Sequence, residues 1–143
     1  MTLADVNVLI HAFRSDAPKH FACKNWLESV VHGESRFGVS PLALSALVRI
    51  TTNGRAFLNA TPIAEAFAFG DRLREAPNAV IVDPGLRHWA IFKRLCVQAE
   101  LLGPVVTDAW YAALAIEHGC TFVTFDRDFA RFSGLAWREP GAS

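Results

Sequence analysis

The chain has 143 residues, 52% of them hydrophobic and 20% charged, the size and composition of one compact domain with no room for a second. Lys plus Arg and Asp plus Glu each number 14, so a polyanionic partner would have to be held by local rather than global positive charge. Cys23, Cys96 and Cys120 form no close pair and no CxxC, and no His stands at ligand spacing, which speaks against a disulfide framework or a zinc site.

In chain order, short β-rich runs alternate with longer helical patterns, the mark of parallel βαβ units. A first strand is expected at residues 2–6, then a short helical segment at 8–13 and a helix at 19–32 with Ala22, Trp26 and Val30 on one face. SRFGV at 35–39 reads as a second strand. Ser40 and Pro41 open a helix through LALSALVRI, with Pro in the first turn, and Asn53-Gly54 closes it. Thr61-Pro62 starts the next helix, whose Ile63, Phe67 and Gly70 share a face opposite Glu65, Arg72 and Glu75. Residues 79–82 form a third strand. Leu86, Trp89, Lys93, Cys96 and Ala99 then mark a helix that Gly103-Pro104 ends. Thr107 caps an alanine-rich helix terminated by His118-Gly119, TFVTF at 121–125 follows as a strand, and residues 135–137 add a last short one.

TFVTF is continuously apolar, as expected of a strand in a parallel sheet covered on both faces. It leads directly into Asp126 and Asp128, and Asp5 stands at the end of strand one. In open α/β sheets the crevice beyond the carboxyl ends of the strands is where ligands bind. Asp108, in the first turn of an otherwise apolar helix, is a third acid of this set. Any one of them is explained by capping or by the helix dipole. Together at one sheet edge they would repel one another, so that some take up protons or a cation sits among them. Oxygen donors without His or Cys select Mg2+ or Mn2+. Such an ion can generate and orient hydroxide and neutralise phosphate oxygens, which suits phosphodiester hydrolysis.

These residues resemble the PIN-domain ribonucleases, in particular the VapC-type toxins of bacterial toxin–antitoxin modules. The likeness is carried by DVNVLIHAF, LVRITTNGRAF, VTDAWYAALAIEHGC and TFVTFDRDFARF, four segments in the family's order that span nearly the whole chain. The resemblance implies a single domain over 1–143, a three-layer α/β/α sandwich with a mostly parallel central sheet. It implies Mg2+- or Mn2+-dependent endonuclease activity on RNA, a homodimer, and neutralisation by a cognate VapB-type antitoxin. Carried over by position, the catalytic and metal-binding acids fall on Asp5, Asp108 and Asp126, with Asp128 as an additional metal ligand. Asn7 and Thr124 take supporting positions beside them, bonded to the acids or to metal waters. One departure stands out. The family's Glu on the helix before the Arg has no counterpart, and counting back from Arg49 its place falls on Leu44, with no acid between Glu34 and Glu65. The alternative function is therefore a catalytically weakened PIN-like domain acting by RNA or antitoxin binding.

Arg14, Lys19, His20, Arg49, Arg55 and Arg127 are candidates to border the crevice and hold RNA phosphates, which position a substrate without reading its sequence. Arg49, in a mostly apolar helix, is expected to have a buried or half-buried partner. The five histidines show no triad, and neither GxGxxG nor GxxxxGK occurs. The aromatic residues on the helices are expected partly at a dimer or antitoxin surface. The opening MTLADVNVLI has no basic start and no apolar run reaches the ~18 residues of a membrane span, so a cytoplasmic location is expected.

Overall fold

A computed structural model describes residues 1–141. The elements are β1 (Thr2–Ala4), α1 (Val6–Phe13), α2 (His20–Val31), β2 (Phe37–Val39), α3 (Pro41–Thr51) and α4 (Ile63–Glu75), then β3 (Ala79–Ile81), α5 (His88–Gln98), α6 (Val106–Glu117), β4 (Thr121–Val123) and β5 (Trp137–Arg138). Short 3-10 turns lie at Gly103–Val105 and Arg127–Arg131. The five strands form one sheet in the order β3-β2-β1-β4-β5, and every pairing is parallel.

This order fixes the layers. The chain steps outward from β1 to β2 to β3 and then returns past β1 to β4, so right-handed crossovers place the early helices on one face and the later ones on the other. Consistent with this, α1 packs on α2 and α3, and α3 on α4, whereas α5 and α6 pack on each other. The sandwich expected from the resemblance is the one observed. Its core strands are dry on both sides: Leu3, Phe37, Val39, Phe122 and Val123 are all buried. The alanine-rich run of α6 lets that helix lie close to β4, with Ala109, Ala112, Ala113 and Ala115 fully buried. Among the described residues, no helix is long and apolar enough to cross a membrane.

The strands are shorter than the sequence pattern suggested, and three helices are turned from their expected faces. On α2 the buried residues are Cys23 and Leu27, with Trp26 and Val30 flanking them and Ala22 exposed. On α4, Ala66, Phe69, Gly70 and Leu73 face inward, while Ile63 and Phe67 are exposed. Leu86 lies before α5 and is fully exposed, Trp89 is exposed on its first turn, and the inward residues are His88 and Leu95. In each case more than one apolar stripe fits a period of 3.6, and the partner layer decides which is buried. Thr107 does not cap α6. The 3-10 turn at Gly103–Val105 runs straight into that helix, so Thr107 is its second residue.

Candidate active site

The switch point of this sheet lies between β1 and β4, from which the chain leaves in opposite directions. Asp5 stands just beyond β1 and Asp126 just beyond β4. The Asp5 amide donates to the Val123 carbonyl at 2.9 Å, extending the β1–β4 ladder to the crevice itself. Thr124, fully buried, joins the two acids: its hydroxyl donates to Asp5 Oδ2 at 2.7 Å and accepts from the Asp126 amide at 3.0 Å. Asp126 Oδ1 in turn accepts from the Asp128 amide at 2.9 Å, capping the turn at Arg127–Arg131. Phe129 and Phe132 anchor that turn in the core and leave Ala130 and Arg131 between them facing out.

Asp108 approaches from the first turn of α6. Its Oδ2 accepts from the Arg131 guanidinium at 3.3 Å, an ion pair between half-exposed side chains. Burial pushes the Asp5 carboxyl above its usual range, against the Thr124 hydroxyl, and the Asp126 charge adds to the rise. The N–H groups of Asn7 and Val6 face the carboxylate and favour its charge, though neither closes a hydrogen bond to the side chain. Burial also pushes Asp108 up. Asp126, Asp5 and Asp128 add repulsion, and Arg131 opposes it. Four acids from three chain segments therefore feel one another's charge. Tyr111, one turn further along α6, is pushed up to about 12 by burial and by Asp5, against the pull of Arg49.

As the side chains stand, no three or more His, Cys, Asp or Glu groups among the described residues close on a point that would hold a metal ion. Two observations nevertheless fit a hard cation: the donors are all carboxylate oxygens, and Arg131 already places a positive charge against Asp108. Asp5, Asp108, Asp126 and Asp128 would hold the ion after rotation of exposed side chains, with Thr124 fixing Asp5 from behind. Asn7 is exposed on α1 and contributes its backbone N–H rather than its amide.

Leu44, the place counted for the family's Glu, is buried, and its δ carbons lie 3.7 and 4.0 Å from where a Cβ on Gly70 of α4 would stand. On α3 the side looking toward Tyr111 carries Arg49, and one turn nearer the sheet's carboxyl edge that side carries Ala46. The helix is apolar where a further acid would reach the site. Arg49 itself is exposed and has no ion-pair partner among the described residues, contrary to the expected half-buried partner. Arg14 is not a phosphate ligand either. It is buried, and its guanidinium is shared among Asp16, the Asn59 carbonyl at 2.6 Å and the Thr61 hydroxyl at 2.9 Å, over the Phe57 ring. Arg127 is exposed and pairs with Glu139 at 3.5 Å. Arg131 and Tyr111 were missed from the sequence. The signal for Arg131 was its place between two buried phenylalanines in DFARF, which aims it out of the core.

A carboxylate-lined switch point on a parallel five-stranded sheet is the arrangement of the PIN domain. The PIN-domain family model matches residues 2–135, and the chain belongs to that family. Among its relatives is ribonuclease VapC25 of Mycobacterium tuberculosis, 38% identical over 140 residues that cover 98% of this chain and 99% of that protein. Among solved structures, VapBC2 from Rickettsia felis, bound to a DNA fragment from its promoter, superposes with a TM-score of 0.69 at 18% identity, covering 96% of this chain and 97% of that one. A toxin–antitoxin complex from Klebsiella pneumoniae gives 0.62 at 20% identity over 95% and 96% of the two chains. The two structures are similar in fold.

Proposed function

We propose that the chain is an Mg2+- or Mn2+-dependent endoribonuclease and the toxin of a toxin–antitoxin pair, neutralised by a cognate VapB-type antitoxin. The observation that supports this most is the Thr124 bridge, which holds Asp5 and Asp126 at the switch point while Asp108 faces them from α6. The naming of VapC25 as a ribonuclease, at 38% identity over the full length, supports RNA as the substrate. The Klebsiella pneumoniae complex supports an antitoxin partner. The exposed Phe21, Phe67 and Trp89 offer apolar surface for that partner or for a homodimer in the cytoplasm.

Asp5, Asp108, Asp126 and Asp128 would hold a divalent ion, whose chemistry there would be to activate water and to offset negative charge on the phosphate. The chain's own contribution is positional. Thr124 orients Asp5 through one oxygen and leaves the other free. Asp126 is held by its turn through Oδ1, which leaves Oδ2 without a hydrogen-bond partner among the described residues. The raised proton affinity of Asp5 and Asp108 shows that their charges are under-compensated, which is what a cation would relieve.

The test is incubation of purified protein with RNA in Mg2+, Mn2+ or chelator. Metal-dependent fragments are expected, and their absence in every condition overturns the proposal. A second reading, a PIN-like domain acting by binding alone, is favoured by the apolar Ala46 face of α3 and by the unclosed acid set. It predicts RNA retention without fragments in the same experiment.

A further inference from the structure

Outside the acid set, a cluster of donors gathers around Phe125. Phe125 lies between Thr124 and Asp126, so its ring is fixed one residue from both bonds of the Asp5–Asp126 bridge. Lys19, in the loop that enters α2, places its ammonium 3.7 Å from the centroid of that ring. Among the described residues it has no carboxylate partner, a property it shares with Arg49, but it alone of the two is braced on the ring beside the bridge. His11, at the end of α1, presents its ring edge-on to Phe125 with centroids 6.4 Å apart. Its Nδ1 accepts from the Lys19 amide at 3.2 Å, so the ring proton sits on Nε2. Burial and then the Lys19 charge hold His11 below its usual range, which keeps it a neutral donor. His20 Nδ1 bonds to the His11 carbonyl at 2.9 Å and fixes the end of α1 beneath.

We infer that Lys19 and His11, braced on Phe125, form a subsite for a backbone phosphate of single-stranded RNA next to the acidic crevice. The inference rests on the ribonuclease reading and adds the group that brings substrate to it. A polyanion approaching Asp5, Asp108, Asp126 and Asp128 is repelled, and a chain of zero net charge offers no general attraction to offset this. A local cation is needed that the acids do not consume. Lys19 meets this condition, since it has no carboxylate partner among the described residues and stands over the ring of the residue preceding Asp126. The ring holds the ammonium by its π face without cancelling its charge, so the charge remains available to a phosphate.

The experiment compares Lys19→Met, which keeps the stem over the ring, Lys19→Arg, which restores charge, and wild type. Binding of a fluorescent single-stranded RNA is followed by anisotropy in chelator across a salt series, and cleavage is followed in Mn2+. Loss of one phosphate contact lowers the slope of log K against log salt by roughly 0.7. We expect Lys19→Met to show that change and to weaken binding about fivefold near physiological salt, of the order of one phosphate contact. The same loss should appear in KM rather than kcat, and Lys19→Arg should recover most of it. An unchanged slope and affinity in Lys19→Met, or no RNA binding by wild type, overturns the subsite. Cleavage by wild type separately decides the ribonuclease reading, so the two can fail independently.

Discussion

Two kinds of carboxylate in this molecule behave in opposite ways. Asp16 and Glu117 are held below the usual carboxylate range, whereas Asp5 and Asp108 are pushed above it. Asp16 is fully engaged by the Arg14 guanidinium. Glu117 is partly buried, which works against its charge, but it accepts from the amides of Gly85 at 2.7 Å and Arg87 at 2.9 Å and is lowered on balance. The fit there is close enough that a Cβ on Gly85 would stand 2.7 Å from Glu117 Oε2. These acids tie the loops after α1 and β3 to the body of the fold. Asp5 and Asp108 instead face other acids, and Arg131 offsets the charge of Asp108 alone. Acids that hold the structure together are compensated by it, and acids left uncompensated at a switch point are the arrangement a ligand site calls for, which is the reading proposed above.

Substitutions should separate the two kinds. Asp5→Asn preserves the Thr124 hydrogen bond and removes a charge from the proposed metal site, so RNA cleavage should fall by about a thousandfold, as when an electrostatic element of a site is lost. A fluorogenic RNA assay measures it, and near wild-type cleavage would place Asp5 with the structural acids. Leu44→Glu tests the packing of α3 on α4. It buries a charge against Gly70 and should cost ~3 kcal/mol or more in urea denaturation. Ala46→Glu should leave the fold intact. Arg14→Met should cost about 2 to 3 kcal/mol, because the Asn59 carbonyl, the Thr61 hydroxyl and Asp16 lose a shared partner. The cleavage rate of the folded fraction at low temperature should stay within about twofold of wild type.

The pH dependence of Asp5→Asn sharpens the contrast. The folded pKa of Asp5 is raised, so its ionisation costs nothing below the ordinary value of 3.8 and progressively destabilises the fold as pH rises from there through the raised value. In chelator the variant should match wild type near pH 3 and melt higher at pH 7, by roughly 2 to 4 °C for a gain of ~1 kcal/mol in a chain of this size. Asp16 and Glu117 run the other way, contributing stability above the ordinary carboxylate range that is lost as pH falls through their depressed values. Melting curves that showed Asp5→Asn less stable at pH 7 would end the distinction.

The parts of this arrangement carried by chain order were legible in the sequence. TFVTF followed by Asp126, and β1 followed by Asp5, put two acids past two parallel strands, and order alone then places them at the crevice. Thr124 was legible as their neighbour, but its bond to Asp5 spans 119 residues and depends on the β1–β4 register. What sequence spacing could not decide was rotation about helix axes. Leu44 and Ala46 both lie near one turn before Arg49, and only the packing of α3 on α4 shows which turns inward to Gly70. Arg14 and Lys19 looked equivalent as basic residues after the first strand. The loop at 53–61 folds back onto Arg14 and consumes it, a long-range contact with no local pattern.

Arg131 provides the finest test, because it is the one element that belongs to both kinds of network. Its ion pair with Asp108 is a structural contact, yet it sits on an acid of the proposed metal site. An ion entering between Asp108, Asp5 and Asp126 must break or bend that contact, so part of its binding energy offsets the loss of the pair. For half-exposed partners the pair contributes roughly 0.2 to 1 kcal/mol. Arg131→Gln should therefore bind Mn2+ about 1.5- to 5-fold more tightly by titration calorimetry, while its melting temperature in chelator falls by a degree or two. If the variant bound Mn2+ more weakly than wild type, the guanidinium would be orienting Asp108 toward the ion rather than competing with it, and Arg131 would belong with Thr124 among the residues that position the site.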